Sequence, residues 1–144
     1  MACATPRGVA SALALLRLSG EDLATRLQDF WGRPRAWCPG RVYRDRLPLP
    51  GGLVEDCLWT FFQAPRSYTG EDVVEISCHG NPLLVEQIEQ ALRERGFRQA
   101  LPGEFTLRAV QRGRMGLVEA EGLLNYLEAR SLPALVAAGK TLGG

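Results

Sequence analysis

The stretch Ser67-Tyr68-Thr69-Gly70-Glu71-Asp72-Val73-Val74-Glu75-Ile76-Ser77-Cys78-His79-Gly80-Asn81-Pro82 sets a turn, a strand and a helix start in immediate succession. Gly70 and Asp72 carry turn chemistry, one through its freedom at positive φ and the other through side-chain bonds to its own backbone. Val73 to Cys78 is apolar and β-branched enough to read as a strand. Asn81 is a good N-cap, and Pro82 fits the first helical position, where its missing N–H costs nothing. Glu75 breaks the pattern. Period-two alternation puts it on one face with Val73, Ser77 and His79, while Val74, Ile76 and Cys78 point the other way. A carboxylate in so apolar a strand is costly to bury unless something pairs with it. On the residues alone, a structural ion pair with a neighbouring arginine is the leading reading, and a bound ligand is the alternative.

The rest of the chain supplies the other elements. Val9 to Ser19 reads as a buried first strand, with Leu13, Leu15 and Arg17 on one face and Ala14, Leu16 and Leu18 on the other. Ser19 to Asp22 opens a helix expected to run to about Trp31, with Leu23, Leu27 and Phe30 as its apolar stripe. Gly32 to Gly40 holds two prolines and is loop. Arg41 to Leu47 alternates as an exposed or edge strand. Pro48-Leu49-Pro50-Gly51-Gly52 turns the chain into a second strand, Val54 to Gln63, so the two can pair as a hairpin. Asn81 to Arg95 is a helix, with Leu84, Ile88 and Leu92 one turn apart and Gly96 as its stop. Phe97 to Leu101 is a candidate short strand, and Glu104 to about Gln111 a short helix. Leu117, Ala120, Leu124 and Leu127 carry helical spacing again. Pro133 interrupts or restarts that helix, with Ser131 as a cap.

At 144 residues and 46% hydrophobic content the chain can bury one core. The net charge of +1 gives no electrostatic case for tight nucleic-acid binding by this piece alone. Lys140 is the only lysine, so arginine supplies nearly all the positive charge. Cys3, Cys38, Cys57 and Cys78 lack CxxC spacing, and His79 is the only histidine, which argues against a metal site. Cys57 and Cys78 read as small core residues. No apolar run is long enough to span a membrane, and the chain reads as cytoplasmic with reduced thiols. Gly139-Lys140-Thr141 resembles the tail of a phosphate-binding loop, but that pattern needs a glycine where Ala134 stands and a strand before it. Leu132 to Ala138 reads as helix, and the motif is rejected.

Four stretches in order carry a family resemblance: Ala4-Thr5-Pro6 with Leu15-Leu16-Arg17-Leu18-Ser19-Gly20, the Ser67–Pro82 stretch, Leu101-Pro102-Gly103-Glu104-Phe105-Thr106-Leu107-Arg108-Ala109, and Leu117-Val118-Glu119-Ala120-Glu121-Gly122-Leu123. Together they resemble the N-terminal domain of the tRNA-modification GTPases MnmE (TrmE), over nearly the whole chain. The resemblance implies an α+β fold, a mixed β-sheet packed with helices. It implies a folate-binding and dimerisation domain over residues 1–116 and the start of a helical domain over 117–144. The GTPase domain is absent, and the chain reads as a fragment or as the product of a shortened gene.

As the resemblance implies, the module homodimerises and holds 5-formyl- or 5,10-methylene-tetrahydrofolate. GTP, Mg and K belong only to the full-length protein. That protein works with the flavoprotein MnmG on carbon 5 of the tRNA wobble uridine. Arg17, Glu75 and Arg114 match the folate-binding positions, with His79 as a possible neighbour. No residue is assigned a catalytic role. A pterin offers adjacent N–H donors on one edge, and a single carboxylate accepts both. Arg17 otherwise reads as an arginine reaching from a strand end to solvent. Arg114 stands where the family usually has lysine, which keeps the charge and changes its shape. The loop Pro6-Arg7-Gly8-Val9-Ala10-Ser11-Ala12 is less glycine-rich than the family's. Two other readings stay open. One is a stand-alone folate-dependent aminomethyltransferase using Asp72, His79 or Glu104, and the other is a dimerisation scaffold without ligand.

Overall fold

The computed structural model describes residues 1–5, 8, 10–32 and 36–143. The chain is α+β. Its sheet has five strands, β1 (Ala2–Cys3), β2 (Ser11–Gly20), β3 (Val42–Pro48), β4 (Val54–Phe62) and β5 (Asp72–Gly80), in the order β1-β2-β5-β4-β3. Every pairing is antiparallel, where the sequence led us to expect mixed directions. The reason is local. The β3–β4 and β4–β5 links are short, so neighbouring strands reverse, and β5 then lies against β2 in the opposite sense.

Alternation decides the faces. Ala14, Leu16 and Leu18 of β2, Tyr43 and Leu47 of β3, Cys57, Trp59 and Phe61 of β4, and Val74, Ile76 and Cys78 of β5 are all buried on one side. Helix α2 (Pro82–Glu94) covers that side with Leu84, Ile88 and Leu92. Asn81 caps it, its Oδ1 accepting from Leu83 N at 2.9 Å and Leu84 N at 3.4 Å. Trp31, Trp59 and Tyr43 stack in a row beneath, with centroid spacings of 5.0 and 4.5 Å. Trp59 Nε1 donates to buried Asp45 at 2.9 Å. Burial pushes the Cys57 and Cys78 thiols up to about 12, so both stay protonated core residues.

Three expectations change. The first strand is buried on one face only, with Leu13 open to solvent. The helix after it, α1 (Leu23–Arg26), ends a turn after it begins. Asp29 and Gly32 take positive φ, which breaks the helical path, yet Leu23, Leu27, Phe30 and Trp31 still reach the core. Phe97 to Leu101 forms no strand. It is tied to the chain start instead: Met1 N donates to Arg98 O at 2.8 Å and Ala100 N to Met1 O at 2.7 Å. Helices α3 (Glu104–Gln111), α4 (Leu117–Glu128) and α5 (Leu132–Gly143) follow. Ser131 caps α5 through Ala134 N.

Helices α4 and α5 pack as a hairpin. A Cβ on Gly122 would stand 2.7 Å from Thr141 Cγ2, so the glycine is what lets the two backbones approach. Leu117, Val118, Leu127 and Leu132 remain exposed on the hairpin. Gly139-Lys140-Thr141 lies inside α5, so no phosphate loop forms there. No helix among the described residues is long and apolar enough to cross a membrane.

Candidate functional site

The second face of the sheet is open to solvent along much of its length, with Leu13, Leu58 and Val42 exposed on it. Strand register sets Arg17 directly opposite Glu75, and Thr60 beyond it on β4. Arg17 Nε and Nη2 both reach Glu75 Oε1, at 3.1 and 3.0 Å. The two side chains are 31% and 29% exposed, enough to meet a ligand. Oε2 accepts no hydrogen bond among the described residues, so half of the carboxylate is open. The pair is therefore an ion pair and an unfinished acceptor at once. At this exposure the pair alone contributes about 0–1 kcal/mol of stability.

The turn before β5 forms the site's wall. Tyr68 is half-buried, and the guanidinium of Arg17 lies 5.9 Å from its ring centroid. Its hydroxyl pairs with Thr106 Oγ1 of α3 at 2.8 Å. Arg114 reaches the same turn, donating from Nε to Ser67 O at 3.1 Å. Gly70, at φ 80°, lets this happen: a Cβ there would meet Arg112 Cβ at 2.9 Å and Arg114 Cγ at 3.0 Å. Arg17 and Arg114 thus border one turn, and Glu75 is joined to it through Arg17. His79 does not join them. It sits four residues further along β5, about 13 Å at 3.3 Å per residue. Its Nδ1 lies 2.6 Å from Oε1 of buried Glu55.

A network missed by sequence reasoning holds the turn in place. Glu71 is buried, and its carboxylate takes Arg108 at 2.7 Å, Arg112 at 3.3 Å and the Ser19 hydroxyl at 3.0 Å. Ser19 also pairs with buried Thr69 at 2.7 Å, and Ser67 Oγ donates to Glu71 O. Glu104 accepts from Arg98, from Leu101 N at 2.9 Å and from Arg108 at 2.8 Å. The Arg98 bond first, and the Leu101 N–H second, hold its carboxyl down at about 2. The clue in the sequence was the spacing of Arg108 on α3 and Arg112 just past its end, one helical turn apart and both reaching Glu71.

Asp72, His79 and Glu104, the three candidate acid–base groups, are not brought together. Asp72 accepts from Ala64 N at 2.9 Å as a turn residue. A carboxyl held at about 2 stays charged at neutral pH and makes a poor general acid there. Clefts open elsewhere, of about 440 Å³ beside Cys3, Thr5 and Pro82, about 380 Å³ beside Met1, Phe97 and Glu104, and about 590 Å³ beside Trp31, Arg44 and Asp56. None of these is lined by Arg17 or Glu75. The site is a walled open surface, and its case rests on donors and acceptors rather than on concavity. Among the described residues no cluster of His, Cys, Asp and Glu could hold a metal ion. Pro6, Arg7 and Val9 of the first loop lie outside the described residues; Thr5 extends the strand pairing, its Oγ1 accepting from Leu15 N at 3.4 Å.

Comparison with known proteins gives the family. Residues 1–114 match the family model described as the GTP-binding protein TrmE N-terminus. The chain belongs to this family. It is similar to the tRNA modification GTPase MnmE of Opitutus terrae, 46% identical over 99% of this chain and 31% of that protein. The protein of the same name from Roseiflexus castenholzii is 42% identical over 99% of this chain and 31% of its own length. That from Thermotoga maritima is 38% identical over the full chain and 32% of its own length. The chain therefore spans about a third of the length of the curated relatives it matches.

Proposed function

We propose that this TrmE-type N-terminal chain is the tetrahydrofolate-binding and homodimerising module of a tRNA-modification GTPase. The observation that carries the reading is the half-exposed Arg17–Glu75 pair on the uncovered sheet face, with Glu75 Oε2 left as an open acceptor. A pterin's adjacent N–H donors suit that oxygen, and the ligand's glutamate carboxylates suit Arg114. The donor set therefore fits a reduced folate. Bound there, 5-formyl- or 5,10-methylene-tetrahydrofolate would supply the one-carbon unit. Arg17 aims Glu75, Glu75 fixes the ring's edge, and Arg114 neutralises the tail.

An open sheet face leaves a small ligand wet on one side, which supports the second half of the reading. A second copy of the chain would cover the face and complete the site. On this reading residues 1–116 are the folate and dimer domain, and 117–144 begin a helical one. In the whole protein the module would serve, in the cytoplasm, a GTPase that works with the flavoprotein MnmG on carbon 5 of the wobble uridine. GTP, Mg and K would be bound by other parts of that protein.

The test is calorimetric titration of the chain with 5-formyltetrahydrofolate, beside Glu75→Gln. Hydrogen bonds to a charged group are worth roughly 1.5–3 kcal/mol each. The substitution should weaken binding about tenfold to a hundredfold at about 1.4 kcal/mol per factor of ten. The fold should survive, since the ion pair contributes so little. Equal affinity in the two proteins would remove Glu75 from the site, and unfolding of the variant would make it a structural residue.

A further inference from the structure

We propose that Tyr68 is the stacking wall of this site, making it selective for a flat heterocycle whose edge donors meet Glu75; the inference rests on the folate reading above. Three observations converge on the ring. Its face is only loosely covered, since the Arg17 guanidinium stands 5.9 Å from the centroid, against 4.0 Å in the closed stack of Arg26 on Phe97. The ring is fixed before any ligand arrives, through the bond to Thr106 and through a turn pinned on both sides. Ser67 and Thr69, its neighbours, are buried and bonded to Glu71 and Ser19. And the Arg17 that faces it is bonded to Glu75, whose Oε2 accepts no hydrogen bond among the described residues.

Each contact reads a different part of a ligand. Glu75 reads an edge with adjacent N–H donors. Tyr68 reads a planar face, and offset aromatic pairs gain energy beyond area burial. Arg114 spends Nε on Ser67 O, and its terminal nitrogens take no partner among the described residues, so they are available to an anionic tail. A fixed ring loses little conformational freedom on binding, which raises the affinity that the stack delivers.

The experiment titrates the full chain, Tyr68→Phe and Tyr68→Leu with 5-formyltetrahydrofolate and with 5-formyltetrahydropteroate, which lacks the glutamate. Tyr68→Phe should keep most of the affinity. Tyr68→Leu should lose about tenfold to a hundredfold, the range for removing a stacking ring. The loss should be the same for both ligands, because the ring touches what they share, whereas Arg114→Gln should weaken the glutamate-bearing one, with its two carboxylates against one, more than the other. If the wild type binds and Tyr68→Leu binds as tightly, the wall is overturned while the folate reading stands. If the wild type binds neither ligand, the folate reading fails and takes the wall with it. Should Tyr68→Leu not fold, the wild type still decides. Tyr68 ring protons, assigned by difference from Tyr68→Phe, should shift upfield and show contacts to the pterin on binding; unshifted signals would overturn the proposal.

Discussion

Glu104 opens α3 with a left-handed Gly103 before it, so no side chain caps the helix; the carboxylate at its first position does the electrostatic work instead. With its carboxyl at about 2 against an ordinary 4.5, the folded state holds the charged form more tightly than the unfolded chain does. That stabilisation is complete above pH 4.5 and disappears as the pH falls through 2. Glu104→Gln should lower the melting temperature at pH 7 by a few degrees, and the gap should close between pH 4.5 and 2. A constant gap across that range would mean that the residue acts through shape alone. Glu75 shows how far a residue could be read in advance. Its face followed from alternation and its oddity from its charge. That Arg17 stands opposite depends on a register between strands 58 residues apart, which spacing alone does not fix. Glu71 was harder still, because its partners come from β2, from α3 and from Arg112 just past the end of α3.

At the scale of elements, β5 and α2 were legible to within a residue or two, because a turn, an alternating run, a cap and a stop follow one another without a gap. The segment after β2 was not. Leu23, Leu27 and Phe30 have helical spacing and do face the core, but periodicity reports which side chains are buried, not how the backbone delivers them. Tight turns at Asp29 and Gly32 deliver them here. The Phe97–Leu101 segment was misread for a related reason: its partner is the chain start, far away in sequence. The α4–α5 hairpin invites a direct test. Gly122→Ala gains helix propensity of about 1 kcal/mol. It also drives a methyl against a β-branched side chain whose Cγ2 is 2.7 Å away, an overpacking worth about 1–3 kcal/mol. The hairpin should loosen, seen as faster amide exchange over residues 117–143 with little change in the sheet. Thr141→Ala in the same chain should recover most of the protection.

For the molecule as a whole, the dimer reading predicts a species of twice 15.8 kDa in sedimentation equilibrium at micromolar concentration. Only the 15.8 kDa species across that range would count against it. The chain should also show no saturable heat with GTP, since its lone Gly-Lys-Thr is helical interior. The sheet's margins bear on how two copies could meet. One margin is β1, two residues long; the other is β3, flanked by exposed Arg44 and Arg46 and closed by Pro48, which has no N–H to offer. A strand added at β3 would meet a missing donor at Pro48, and one added at β1 would find only two residues to pair with. Lateral growth into a continuous ribbon is therefore disfavoured at both margins, and the dimer reading predicts that a second copy is laid broadside over the open sheet face instead.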